Sequence, residues 1–520
     1  MIRVRLCLAL LAVAALARAA VADEKRDPLK DLEGRVREHV LSNGLRFLVL
    51  ERREAPVVSF VTVANVGSVD EGPGITGLAH IFEHMAFKGS REIGTYDSAA
   101  EIAALAALES KFDDLRAERA KGPKRDEKRI EALLAEVEAL EAEAGRHVVN
   151  NEYSVIVEQN GGQGLNASTS ADLTTYYCSF PSNKIELWFH LESDRFKEPV
   201  LREFFKEKEV VMEERRLRTD SNPIGKLIEE FVAIAFKAHP YGQPTIGHQS
   251  DLETVTPAEA RDFFRRYYGP QNLTIAVVGD VKFDDVVKLA DRYFGPMPRG
   301  PEPEPVETVE PAQEGLRTVE VEHAAQPIYG VAFHRPGARH KDDAIYDMLA
   351  SILGSGRSSR LYRALVKEKK LALQAGAFSG FPGAKYPNLF VFYALPGAGK
   401  TVDECAVAID EEIERLKKEP VTDVELARVK RLTRAGAIRG LADNDGLAVA
   451  LATATAVYGD WREMFRALER IQAVTAADVQ RVARECLVRK NRIEARIVKP
   501  GAAAPAAPAA PAAPAAKEEK

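Results

Sequence analysis

Residues 295–315, GPMPRGPEPEPVETVEPAQEG, divide this 520-residue chain more sharply than any other segment. Proline recurs, acids are frequent and no amphipathic period appears, so the segment reads as an extended linker. A chain of this length exceeds one compact domain. The linker leaves two parts of comparable size, 32–294 and 316–499, and both follow one grammar. In the first, an Asn43-Gly44 turn joins strands at 40–41 and 45–50. A strand at 57–66, a helix near 76–88 and a strand at 273–278 follow. In the second, a strand at 328–333 leads to a helix at 344–353. Long amphipathic helices at 402–418 and 424–439 precede a closing strand at 492–498. The pattern predicts an α+β fold of two homologous domains, each a mainly antiparallel sheet packed with helices.

One stretch breaks the rhythm. Residues 98–144 are rich in Ala, Glu, Leu and Lys, with GPKRD at 122–126 in the middle. Ile102, Leu105, Leu108, Phe112 and Leu115 recur at steps of three and four before that break. Ile130, Leu133, Val137 and Leu140 do so after it. Two antiparallel helices zipped along one apolar stripe satisfy both halves, which makes the segment a structural or partner-facing insertion.

The two ends read differently. Residues 1–22 carry Arg3 and Arg5, an apolar run at 6–17 and small-residue cleavage options, the pattern of a secretory signal peptide. Residues 501–520 form an Ala/Pro repeat with too little apolar surface to offset the entropy of ordering, so disorder is expected. Cys7 leaves with the signal, and Cys178, Cys405 and Cys486 are expected as buried thiols. Net charge is −6 with both signs interleaved, which argues against a nucleic-acid partner. No other stretch is long enough for a membrane span. The mature chain is therefore expected to be soluble and exported, with the periplasm of a Gram-negative bacterium as its compartment.

The chemistry concentrates at His80-Ile81-Phe82-Glu83-His84. On a helix the two histidines lie one turn apart, about 6 Å, on one face. That spacing suits two ligands of one tetrahedral zinc. Glu83 stands next to the second histidine, within reach of a metal-bound water. This is the inverted order of the common zinc-protease helix. The pentapeptide alone also fits two hydrogen-bonded histidines on a helix face. A catalytic zinc needs a third protein ligand. The other histidines form no spaced pair, so a carboxylate is the better candidate. In EFFKEKEVVMEERR, 203–216, Glu207 and Glu214 are seven apart on one helical face. One can bind the metal while the other orients a ligand; read alone, the segment also fits a solvated charged face. Residues 164–169, after Gly161-Gly162, read as a short polar strand at a sheet edge.

These segments together resemble the pitrilysin/insulinase family of zinc peptidases. The resemblance is carried by His80-x-x-Glu83-His84 and by Glu207 and Glu214 within EKEVVMEERR. SNGL at 42–45, NASTS at 166–170, HPYGQPTIG at 239–247 and NLTIAVVGD at 272–280 extend it. It covers nearly all of residues 35–499. By length the chain is similar to the short, two-domain members, of the type of the mitochondrial processing peptidase catalytic subunit and its bacterial relatives. The resemblance implies that His80, His84 and Glu214 bind one zinc per chain. It makes Glu83 the general base and Glu207 the partner that orients a ligand. It also implies that a peptide or unfolded polypeptide adds as a strand beside Asn166 and Ala167.

Two departures stand out. The inserted hairpin lengthens the gap between His84 and Glu214. In the second half Val366 and Leu373 stand where the family often carries an arginine and a tyrosine that grip the substrate. The expected function is a zinc metalloendopeptidase working as a homodimer or as a heterodimer with a non-catalytic paralogue. The alternative is a weakly active or non-catalytic binding subunit of such a heterodimer.

Overall fold

The structure is a computed structural model that describes residues 28–500. The expected signal peptide, Cys7 and the Ala/Pro tail lie outside the described residues. Among the described residues eleven strands form two sheets. β1 Arg37–Val40, β2 Arg46–Glu51, β3 Val57–Ala64, β4 Gln163–Thr169, β5 Thr174–Pro181 and β6 Leu273–Gly279 assemble in the order β1-β2-β6-β3-β5-β4. β7 Arg317–Glu322, β8 Ile328–Arg335, β9 Ala372–Phe381, β10 Asn388–Pro396 and β11 Arg492–Val498 assemble as β7-β11-β8-β10-β9. Each sheet has one parallel pair, β2 with β6 and β7 with β11, and is otherwise antiparallel. The fold is α+β, with helices over both sheets.

Strand periodicity explains how the first sheet buries two faces. Phe47, Val49, Val58, Phe60, Ile275 and Val277 point into one core. Their neighbours Leu48, Leu50, Val61, Val63, Ala276 and Val278 point into another. β6 is buried at all seven positions and therefore reads as a continuous apolar run.

Six helices position the candidate site or join the two halves: α1 Leu78–Met85, α2 Ser98–Arg119, α3 Glu127–Gly145, α4 Phe204–Arg215, α5 Pro223–Ala235 and α6 Asn444–Tyr458. The second core of the first sheet is closed by α6, through Leu447, Leu451 and Ala452, with Trp461 and Phe465 beyond it. α6 lies after the linker. Reciprocally, Leu227, Phe231 and Ala235 of α5, before the linker, pack on Ala332, Val391, Ile493 and Ala495 of the second sheet. Each half lends a helix to the other's sheet. The duplicated-domain reading contains no such exchange, because an amphipathic period shows that a face is buried but not against what.

No helix or strand lies between Tyr293 and Arg317. The segment is nonetheless pinned. Glu310 accepts from the backbone N–H groups of Lys237, Ala238 and His239, and Gln313 donates to the Arg492 carbonyl.

α2 and α3 form the expected hairpin, turning at 122–124. Asp97 and Asp126 cap their N-termini. Leu115, Ile130 and Leu133 are buried between them. Cys178, Cys405 and Cys486 are free and buried. Among the described residues no helix is long and apolar enough to cross a membrane.

Candidate metal centre

α1 is anchored before its first histidine. Leu78, Ala79, Ile81, Phe82 and Met85 are buried, so the helix has little freedom to roll. Its N-cap, Gly77, has φ +92°, and a Cβ there would come within 2.8 Å of the Ile246 carbonyl and Leu252. Only glycine fits this entry. The buried Glu71 carboxyl accepts from Gly77 N–H (2.8 Å) and Ala79 N–H (2.7 Å), satisfying donors that the first turn leaves unpaired.

On that frame His80 and His84 stand one turn apart, with ring centroids separated by 4.8 Å. Glu214, in the last turn of α4, meets both. Its Oε1 is 3.7 Å from His80 Nε2 and its Oε2 is 3.5 Å from His84 Nε2. The three donor atoms lie within 4.8 Å of one another, and no other such group of three occurs among the described residues. Two turns back on α4, Glu207 Oε2 lies within hydrogen-bond distance of His84 Nδ1, at 3.2 Å. Lys88 reaches the other oxygen of Glu207 at 2.5 Å and Glu203 at 2.8 Å.

The electrostatics separate the two imidazoles. Burial, together with the charges of His84 and Arg218, pushes His80 down to about 4, so it is neutral near pH 7 with a lone pair to donate. Burial also acts to lower His84. The Glu207 hydrogen bond and the charges of Glu207, Glu214 and Glu83 outweigh it and raise the ring above its ordinary value. For Glu207, burial works upward, but the bonds from His84 and Lys88 hold it below the usual carboxylate range. Two imidazole Nε2 atoms and one carboxylate are a donor set that suits zinc and leaves a position for substrate or water. The residues present fit that metal.

Glu83 is partly buried on the same helix, and its carboxylate takes no part in the hydrogen bonds or ion pairs of the described residues. β4 is one of the two edge strands of the first sheet. Within it Asn166 is exposed and pairs with Tyr177, while Ala167 is 7% exposed and pairs with Tyr176. Thr169 Oγ1 donates to the Ala79 carbonyl at 3.5 Å, which sets this edge beside α1. In the second half Val366 packs against that half's core, and Leu373 is 64% exposed near the start of β9.

The structure adds two residues that sequence reasoning passed over. Lys88 lies four residues after His84, inside an ordinary-looking FKGS turn. Arg218 lies four after Glu214, in a π-helical turn at Arg216–Asp220, and pairs with Glu214 Oε1 at 2.5 Å. For Arg218 the i, i+4 spacing to Glu214 was the available signal; Lys88 meets carboxylates more than 100 residues away, which no local spacing announces.

The family model described as Insulinase (Peptidase family M16) matches residues 46–113 and 125–249. The one described as Peptidase M16 inactive domain matches residues 254–433. The interruption in the first match falls in the α2–α3 hairpin. Zinc protease PqqE of Helicobacter pylori is 30% identical over 420 residues, 78% of this chain and 80% of that protein. The crystal structure of a protease from Helicobacter pylori is similar with a TM-score of 0.74 and 26% identity, covering 89% of this chain and 99% of that one. The crystal structure of a peptidase M16 inactive domain from Pseudomonas fluorescens has the same fold, with a TM-score of 0.69 at 18% identity, covering 90% and 99%.

Proposed function

Because this chain belongs to the insulinase family of peptidases, in its two-domain form, we propose that it is a zinc-dependent metalloendopeptidase acting on peptides or unfolded polypeptides. In this reading His80, His84 and Glu214 hold one zinc ion per chain and Glu207 orients His84. The observation that carries it is the convergence of those three donor groups within 4.8 Å, beside Glu83.

A zinc ion held there supplies Lewis acidity to a water and to the scissile carbonyl. Glu83 accepts the proton of the attacking water and delivers it to the leaving amine. It has no competing partner to give up first. Asn166 and Ala167 pair with the substrate, which adds to the free edge of β4 as an extended strand. Main-chain pairing gives affinity with little demand on side chains.

Metal analysis tests the ligand set. The full chain binds one zinc, and His80→Ala loses it; a His80→Ala protein that still holds one zinc contradicts the assignment. The chain is further proposed to be exported, on the character of residues 1–22, and to work as a homodimer or with a non-catalytic paralogue. A binding subunit is the second reading. It is favoured by Val366 and Leu373, an aliphatic pair that cannot donate to a transition-state oxyanion.

A further inference from the structure

His84 and His80 differ in how their second nitrogens are held. His80 Nδ1 is buried without a hydrogen-bond partner. His84 Nδ1 sits at the end of a chain of contacts: Lys88 Nζ to Glu207 Oε1 at 2.5 Å, then Glu207 Oε2 to His84 Nδ1 at 3.2 Å. Beyond the ring, His84 Nε2 faces Glu214 Oε2 at 3.5 Å.

Lys88 is itself held by its main chain and by its side chain. Its carbonyl accepts from Arg202, whose guanidinium also reaches the carbonyls of Ser90 and Ile93. Its ammonium is shared with Glu203, the residue that opens α4 at φ +56°. An ammonium between two carboxylates, with its stem just past α1 and both acids at the start of α4, sets the distance between the two helices.

We propose that Lys88 is a positioning residue of the metal site: it holds the Glu207 carboxylate so that it accepts from His84 Nδ1–H and leaves Nε2 as the nitrogen facing Glu214. The proposal rests on His80, His84 and Glu214 being the zinc ligands. The physical reason is tautomer control. A neutral imidazole carries one proton; fixing it on Nδ1 leaves the Nε2 lone pair for the metal. Without the ammonium, Glu207 loses the partner that restrains its rotation and can turn away from the ring. Glu214 then faces a ring whose proton sits on either nitrogen.

The test uses the full chain as wild type, Lys88→Met, Lys88→Gln and Lys88→Arg. Zinc affinity is read by competition with a chromophoric chelator, beside thermal unfolding of the metal-free proteins. The His84 tautomer is read by nitrogen-15 NMR of metal-free, histidine-labelled protein at alkaline pH, with His84→Ala for assignment. The expected result is an Nδ1–H tautomer in the wild type. Zinc affinity falls by up to about 10-fold in Lys88→Met and Lys88→Gln, with recovery toward wild type in Lys88→Arg. Wild-type affinity in a folded Lys88→Met or Lys88→Gln protein overturns the proposal. So does an Nε2–H tautomer of His84 in the wild type, a reading independent of whether the Lys88 variants fold. A wild type that binds no zinc removes the ligand assignment itself. A wild type that binds zinc no more tightly than Lys88→Met removes only the role of Lys88.

Discussion

Glu101 and Arg202 face each other with both side chains only 1% exposed, and this pair joins the inserted hairpin to the segment that leads into α4. The Arg202 guanidinium also fixes the carbonyls of Lys88, Ser90 and Ile93. Phe112 of α2 packs on Phe205 of α4, with ring centroids 4.5 Å apart. The hairpin thus braces the helix that carries Glu207 and Glu214. Removing one member of a buried pair strands the other charge, at a cost of about 3–5 kcal/mol. Glu101→Ala is expected to lose stability on that scale in urea unfolding; an unchanged midpoint contradicts the bracing role.

Glu214 and Glu207 are expected to separate in metal affinity. Glu214 faces both Nε2 atoms, whereas Glu207 touches only the far side of His84. Glu207→Gln loses about 10- to 100-fold in zinc affinity. Glu214→Gln is expected to lose more, because in the proposed site it removes a ligand. Chelator competition on both proteins checks the order, and the reverse order contradicts the assignment.

The exchange of α5 and α6 predicts that the halves unfold together. Leu451 of α6 is fully buried against the first sheet, although it lies after the linker. Leu451→Ala costs about 2–5 kcal/mol. Calorimetry should show one transition moving to lower temperature as a whole. Two transitions, with that of the first half unmoved, contradict the exchange.

An acid-sensitive contact lies in the second half. Arg360 donates twice to Glu425 at 2.9 Å. That hydrogen bond, with help from the Thr422 backbone and against burial, brings Glu425 down from 4.5 to about 2. A depressed folded-state value contributes stability that is complete above the ordinary carboxylate range and is lost as pH falls toward the depressed value. Glu425→Gln is therefore expected to be less stable than wild type near neutrality, with the gap closing between about pH 4.5 and 2. A gap independent of pH contradicts this.

Several features were legible in sequence because they depend on local spacing. The Asn43-Gly44 turn, the hairpin with its break at Gly122, and the shared face of His80 and His84 all arise from neighbours a few residues apart. Glu207 and Glu214 were legible as one helical face, but spacing alone favoured a solvated charged edge. Which acid meets the imidazoles depends on where α4 packs. Lys88 was illegible for the same reason: a lysine four residues after a histidine is ordinary surface until a second helix brings carboxylates to it. The parallel pairings of β2 with β6 and β7 with β11, and the crossing of α5 and α6, also depend on contacts between distant segments.

The most direct test of the central claim is hydrolysis of a mixed fluorogenic peptide library by the purified chain, run beside Glu83→Gln and a chelator-treated sample. The account predicts cleavage by the wild type that stops on metal removal and falls about 100-fold or more in Glu83→Gln, which still binds zinc. Cleavage that persists at the wild-type rate in Glu83→Gln contradicts it. A zinc-loaded wild type that cleaves nothing would contradict a self-sufficient peptidase and leave the binding-subunit reading in its place.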